Sequence, residues 1–513
     1  MNPKSLPKDS SYAQILRSTT IIGGSQGANY LIGLIRTKLV ALLIGPSGIG
    51  MVGLFHGATT LIRTIAQLGI DQSGVRDIAK ADASDDVHQL AETTQTLRRL
   101  CWLTGIGGWL LTAVLSYPLS IWTFGDSRHA VSFMFIGSTL LFGAISGGQV
   151  ALIRGKRRIG DIARISVISS LLSTIAAVGI YLWLREDGIV PVLVATAAIY
   201  TLVSWLYARK IRIEKVPLTW MQVFSNAGSL VHLGLAFTFS PLVNSGIDLF
   251  VRTLIINQFG LHEGGIFQGA WAVSGIFMGY ILNAMMTDFY PRLTTVADDN
   301  QKVNQYVNEQ TEIAAMMALP GLVALIGFAP IVMHLLYSRE FVSGGMLLIW
   351  FSLGGAFQAI CWPMGVIQRA KGSARWMVIS QCIAAVVRVG LILALLKPLG
   401  IAGIALAYPL SSLIHCLTTF AIARHLSQFF WTREAFVISS TLLVFAAASA
   451  ATHLIESISL QAIGASTLLI LGTAVSFRGI VNRLAPEHRL IRAILRFPGG
   501  QRLIQLARPN APR

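Results

Sequence analysis

Apolar residues along this 513-residue chain do not alternate as in strands, nor do they form the narrow stripes of surface helices. They run on for about 20 residues or more, the length needed to cross about 30 Å of hydrocarbon. Fourteen such runs are read, at 13–43, 48–70, 100–124, 131–153, 163–184, 188–208, 226–257, 264–287, 313–336, 341–367, 375–396, 399–423, 434–453 and 458–477. In hydrocarbon each backbone amide must be paired within its own segment, so each run is predicted as a helix. The first and seventh are too long for one straight span. Both are rich in Gly or Ser and are expected to tilt, kink or overrun the bilayer.

The pattern also repeats. At an offset of 216, Arg36-Thr37 returns as Arg252-Thr253, Gly48 as Gly264, Gly53 as Gly269, Arg76 as Arg292, and Ala81-Asp82 as Ala297-Asp298. At 215, Phe142 meets Phe357, Arg154 meets Arg369 and Lys156 meets Lys371. The predicted architecture is an all-α polytopic membrane protein of two pseudo-symmetric six-helix lobes, residues 1–215 and 216–430. Two appended helices (431–477) and a basic amphipathic tail (478–513) follow. Six helices per lobe make the repeats parallel, as in transporters whose lobes rock about a midplane site.

Composition agrees with lipid as the solvent. The chain is 54% hydrophobic and 12% charged, with mean hydropathy +0.64, whereas soluble domains carry about 25% charge. The net charge of +17 sits in alternate connections: those around Arg76–Arg99, Arg154–Arg164, Arg209–Lys215, Arg292–Lys302, Arg369–Arg375 and Arg424–Arg433. The opposite connections hold only Arg128, Arg185, Arg339 and Lys397. This asymmetry predicts cytoplasmic N- and C-termini, and it explains the positive charge by topology and bilayer lipid contact, with no nucleic acid involved. Cys101, Cys361, Cys382 and Cys416 are widely spaced in or beside helices and read as small core residues.

A charge near the bilayer centre costs roughly 2.5–3.5 kcal/mol, so the exceptions are candidates for function. They are Arg36, Lys38, Arg63, Asp248, Arg252 and Arg388. No Asp or Glu lies between Ser10 and Ile70, so Arg36, Lys38 and Arg63 lack an acid in their own hairpin. They must pair across to another helix, face water or await an anion, and a guanidinium fork suits phosphate oxygens. Lys38 and Arg63 also lie near enough to helix ends to snorkel. Asp248 and Arg252 are four apart on one helix face and form either a neutral structural pair or one switched by a coupling ion. His56 lies near Arg63 and titrates in the physiological range. No Walker loop, Ser/His/Asp set or metal-ligand spacing is found, so neither a cofactor nor an enzymatic reaction is expected.

The stretch Leu34–Gly50, with its Gly-Pro-Ser-Gly-Ile-Gly junction, and the stretch Leu68–Ala79 resemble the first hairpin of Wzx-type lipid-linked oligosaccharide flippases. These belong to the polysaccharide transporter branch of the superfamily that also holds multidrug exporters and the lipid II flippase. The resemblance is carried by about residues 13–80. It implies ion-coupled export, by proton or sodium, of an undecaprenyl-pyrophosphate-linked O-antigen or related unit across the bacterial inner membrane, alongside polysaccharide-assembly proteins. It also implies that Arg36 and Arg63 line a central cavity and meet the pyrophosphate. Fourteen helices, where many Wzx-type proteins have twelve, leave a lipid II-like cargo open. A multidrug antiporter of the same fold would want acids in the first two helices, which have none. A membrane polymerase or ligase would want larger outer loops than these.

Overall fold

The computed structural model describes residues 8–84, 86–214 and 216–483, and every regular element among them is helical. The first apolar run and the second form one α1 (Lys8–Gln67), broken only at Gly45, whose φ of 60° and ψ of −170° admit a sharp turn before Pro46. A left-handed residue of this kind is inexpensive only for glycine. α2 (Ile70–Ala83) is an amphipathic connection whose Ile70, Ile78 and Ala81 pack inward. α3 (Val87–Val114) is capped by Asp86, whose carboxylate accepts from His88 N and Gln89 N, satisfying two of the orphan amides of a helix start. It bends by 60° into α4 (Ser116–Phe124) just ahead of Pro118. α5 (Ala130–Ile136) leads into α6 (Ser138–Gly155), and α7 (Ile159–Leu184) turns through Arg185–Gly188 into α8 (Ile189–Ala208).

α9 (Trp220–Thr295) repeats the device of α1. It is interrupted at Gly260 (φ 87°, ψ 171°), 215 residues after Gly45. α10 (Asn300–Gly327) starts on Asp299, which caps Gln301 N and Lys302 N as Asp86 caps α3. α11 (Ala329–Leu336), α12 (Gly345–Ala370), α13 (Ala374–Ser427, turned at Gly400), α14 (Arg433–Ala451) and α15 (Ile458–Arg483) complete the chain. The basic tail from 484 onward lies outside the described residues.

Among the described residues, nine stretches are long and apolar enough to cross a membrane, and the bent pair α3–α4 makes a tenth. Four of the nine are 42–54 residues long: Gln26–Gln67, Ile159–Ala208, Thr238–Asn283 and Ala374–Ser427. Each breaks near its middle, at Gly45, Arg185–Gly188, Gly260 or Gly400. Counted as two crossings apiece, they bring the total to the fourteen expected from hydropathy.

By internal packing the chain divides into two units, Met1–Gln268 with Leu336–Glu340, and Gly269–Leu335 with Phe341–Arg513. Among the described residues, two cores of the first unit stand out. One gathers Ile78, Leu97, Ile153, Ile165 and Val203; the other gathers Leu54, Phe55, Phe133, Ala177 and Ile189. α6, α7 and α8 each contribute to one core or the other at their ends. The first unit also brings the glycine turns of α1 and α9 together: a Cβ on Gly265 would run into the Pro46 carbonyl, and one on Gly50 would sit 2.5 Å from Leu261 O.

The second unit packs Phe289, Val303, Val307, Met364 and Phe429 into one core. The appended helices lie on α10 through small residues. Ser449 Oγ donates to Val323 O (3.1 Å), Ser476 Oγ bonds Met316 O, and Gly327 faces Ala465 and Ser449. Small residues at such contacts let helix backbones approach in lipid. The buried Glu312 accepts from Arg483 Nε at 2.6 Å, tying α15 to α10.

Candidate functional site: a cationic cavity in the first unit

α1, α2, α6, α7 and α8 of the first unit line a cavity of about 760 Å³. α1 supplies Asn29 and Arg36 before its turn and His56, Thr59, Thr60 and Arg63 after it. α6 supplies Gly143, Ser146 and Arg154; α7 supplies Ser166, Ser169, Ser170 and Ser173; α8 supplies Thr196 and Tyr200. Among the described residues, three guanidiniums therefore share one space with a single lining carboxylate, Asp71.

None of the three arginines makes an ion pair to a carboxylate among the described residues. Arg63 Nε donates to Gln67 Oε1 at 2.9 Å, and Arg36 Nη2 reaches Thr196 Oγ1 at a long 3.4 Å. A guanidinium has five N–H donors, so most of its donating capacity here stays open. Dry protein could not hold three such charges without counter-ions. The cavity relieves that cost by admitting water or an anion. Its own dipoles are also incompletely paired: Asn29 Oδ1, Gln67 Nε2 and Ser169 Oγ are buried with no hydrogen-bond partner.

The model of the polysaccharide biosynthesis protein family matches residues 39–344. The chain belongs to this family. Among curated proteins it is similar to the lipid III flippases of Escherichia coli (strain K12) and Shigella flexneri. Each is 22% identical over 361 residues, which is 69% of this chain and 84% of the relative. Among solved structures it shares its fold with the lipid II flippase MurJ in an inward closed conformation, at TM-score 0.67 and 13% identity over 91% of this chain and 100% of that one. An inward-facing multidrug resistance MATE transporter of the MOP superfamily superposes at TM-score 0.62 and 16% identity, over 80% and 96% of the two chains. The all-α polytopic fold expected from the sequence is thus the fold these solved structures share.

Of the residues singled out in this family member's sequence, Arg36, Arg63 and His56 come together in the cavity. Lys38, two residues beyond Arg36, is half-buried on α1 and is not among the lining residues. Arg252, the repeat partner of Arg36, does not line it either; its Nη1 donates to Gly53 O at 2.7 Å, beside Gly57. Asp248 lies one turn before Arg252, half exposed to neither core nor cavity lining. Arg388 stands in the second unit, 5.1 Å from the Trp271 ring and 5.6 Å from that of Tyr408, a cation–π setting.

The sequence reading missed two contributors. Arg154 was counted with the basic connection after α6, yet it lines the cavity. It returns as Arg369 in the repeat, but so does its neighbour Lys156 as Lys371, so the repeat alone did not single it out. The four serines of α7 drew no attention because serine suits any helix contact. Their i, i+3, i+4, i+7 spacing was the available signal.

Proposed function

We propose that this protein is a lipid-linked flippase that carries an undecaprenyl-pyrophosphate-linked oligosaccharide, an O-antigen or related surface-polysaccharide unit, from the cytoplasmic to the periplasmic leaflet of the bacterial inner membrane. The observation that carries this reading is the cavity itself, where among the described residues three arginines stand against one lining carboxylate. A pyrophosphate-bearing head group cannot cross about 30 Å of hydrocarbon unaided. Arg36, Arg63 and Arg154 offer it charge-assisted, fork-shaped hydrogen bonds in place of water. The flippase relatives, named for lipid III and lipid II, and the family's place in polysaccharide biosynthesis support a lipid-linked cargo and a transporter rather than a catalyst.

The return of the empty carrier and the release of the anion need a driving force. Proton or sodium binding at Asp248 or His56 supplies it in this proposal, His56 because it shares the cavity with Arg63. The N- and C-termini face the cytoplasm, where the basic connections meet anionic lipid and polysaccharide-assembly proteins. A cation-exporting antiporter of the same fold is the alternative that the MATE likeness raises. The sign of the cavity opposes it, because a cationic drug would meet three guanidiniums.

Depletion of the protein tests the proposal. The expected result is accumulation of one undecaprenyl-pyrophosphate oligosaccharide in the inner leaflet and loss of the matching surface polymer. Wild type restores export, whereas Arg36→Ala, at normal protein levels, does not. Normal surface glycan with altered drug tolerance would overturn the flippase and favour the antiporter.

A further inference from the structure

On α7, Ser166, Ser169, Ser170 and Ser173 follow one another at three- and four-residue spacing and all line the cavity. The row is about 10 Å long at 1.5 Å per residue. A serine in an apolar helix ordinarily satisfies its hydroxyl on the carbonyl three or four residues back. Several hydroxyls of this unit follow that rule: Thr174 Oγ1 donates to Ser170 O at 2.8 Å, Ser146 Oγ to Gly143 O at 3.1 Å and Ser204 Oγ to Thr201 O at 3.0 Å. Thr94, Thr96 and Thr253 do not, but none of them lines the cavity. Ser169, Ser170 and Ser173 make no such bond. Ser166 Oγ instead accepts from Asn29 Nδ2 at 2.6 Å.

Ser169 settles what the row is for. It is only 3% exposed, it lines the cavity, and its Oγ has no partner; Asn29 Oδ1, which belongs to the amide bonded to Ser166, has none either. Buried polar atoms are rarely left unpaired. Here a donor-acceptor hydroxyl and an acceptor oxygen point at one space. The arginines of the same cavity can only donate. The two sets therefore suit different chemistry: donors alone match phosphate oxygens, whereas hydroxyls that both give and take match the hydroxyls of a sugar.

Building on the flippase reading above, we propose that Ser166, Ser169, Ser170 and Ser173, with Asn29, form a saccharide subsite. It hydrogen-bonds the hydroxyls of the sugars next to the pyrophosphate, while the arginines hold the pyrophosphate. The first sugars of the cargo are thus read by α7, and the charge by α1 and α6.

The test uses the full-length protein in nanodiscs and two probes, undecaprenyl pyrophosphate without sugar and the same lipid carrying a disaccharide. Wild type is expected to bind the glycosylated lipid about tenfold more tightly than the bare one. The double variant Ser169→Ala/Ser173→Ala should bring that ratio to about one without changing affinity for the bare lipid. Thr174→Ala, whose hydroxyl is already satisfied within the helix, should leave the ratio as in wild type. Arg36→Ala should weaken both probes together. If the double variant is misfolded, Ser169→Ala alone is expected to lower the ratio in the same direction. A ratio unchanged by the serine substitutions, or equal binding of the two probes by wild type, overturns the subsite and leaves the flippase standing. Binding of neither probe by wild type overturns both.

Discussion

Arg154→Ala is the most informative single substitution in the cavity, because Arg154 was invisible to arguments about charge in apolar runs. It ends α6 within a cluster of basic residues, where topology alone accounts for a positive charge. If it contacts the pyrophosphate, alanine there should weaken binding of the bare lipid pyrophosphate by about ten- to a hundredfold, the worth of one charge-assisted hydrogen-bond set. A binding titration on the purified protein checks this, and a change below twofold would return Arg154 to the topological set. Arg36→Lys should restore part of what Arg36→Ala loses, since a lysine keeps the charge but not the planar fork. Arg36 and Arg63 were legible because an arginine in a run with no acid has few structural excuses. The serines were not, because their function lies in a bond they do not make, and sequence shows only that a hydroxyl is present.

Helix ends and turns decide where each side chain sits. Asp299 caps α10, and its carboxyl is held below the usual carboxylate range first by the backbone N–H of Lys302 and then by that residue's ammonium. Its contribution to the helix start is therefore complete above the unfolded value near 4, and it is lost as pH falls through the lower folded value. Hydrogen exchange at Gln301 and Lys302 should quicken over that acid range, and Asp299→Ala should make it fast at neutral pH. Gly265→Ala addresses the paired turns. A methyl there meets the Pro46 carbonyl, so the turns of α1 and α9 must separate. The expected outcome is reduced transport with normal membrane insertion, measured as export against protein level. Hydropathy located fourteen spans but not their continuity. Four pairs join without an extended loop because single glycines or a short 3₁₀ turn reverse the helix where sequence windows see a polar gap.

At the scale of the whole molecule, the appended helices are fixed by the Glu312–Arg483 pair and by serine-to-carbonyl bonds onto α10. Glu312→Gln would leave the exposed Glu434, 3.5 Å away, as the carboxylate partner of Arg483 among the described residues. With Arg483 about a third exposed, the loss should be about 1–2 kcal/mol, less than for a fully buried pair. Limited proteolysis should then cut sooner around α15, with α1–α8 unaffected. Lys156 and its repeat partner Lys371 make comparable local bonds, one in each unit. Lys156 Nζ bonds Asp82 Oδ1 at 2.6 Å in the first, and Lys371 Nζ bonds Ala297 O at 2.8 Å and Asn300 Oδ1 at 2.7 Å in the second. Each lysine ties the end of one helix to the connection after an earlier one.

Those two lysines perform the same duty, whereas Arg36 and Arg252 do not. One faces an open cavity; the other is committed to the carbonyl of Gly53. An ancestral duplication would have handed both halves the same arginine, and only one copy kept a vacancy around it. Descendants could then diversify in what they carry by altering one half, while the other retained its inherited scaffolding task. Change in cargo among related transporters should accordingly concentrate in α1, α6, α7 and α8, and the lysine ties should outlast it.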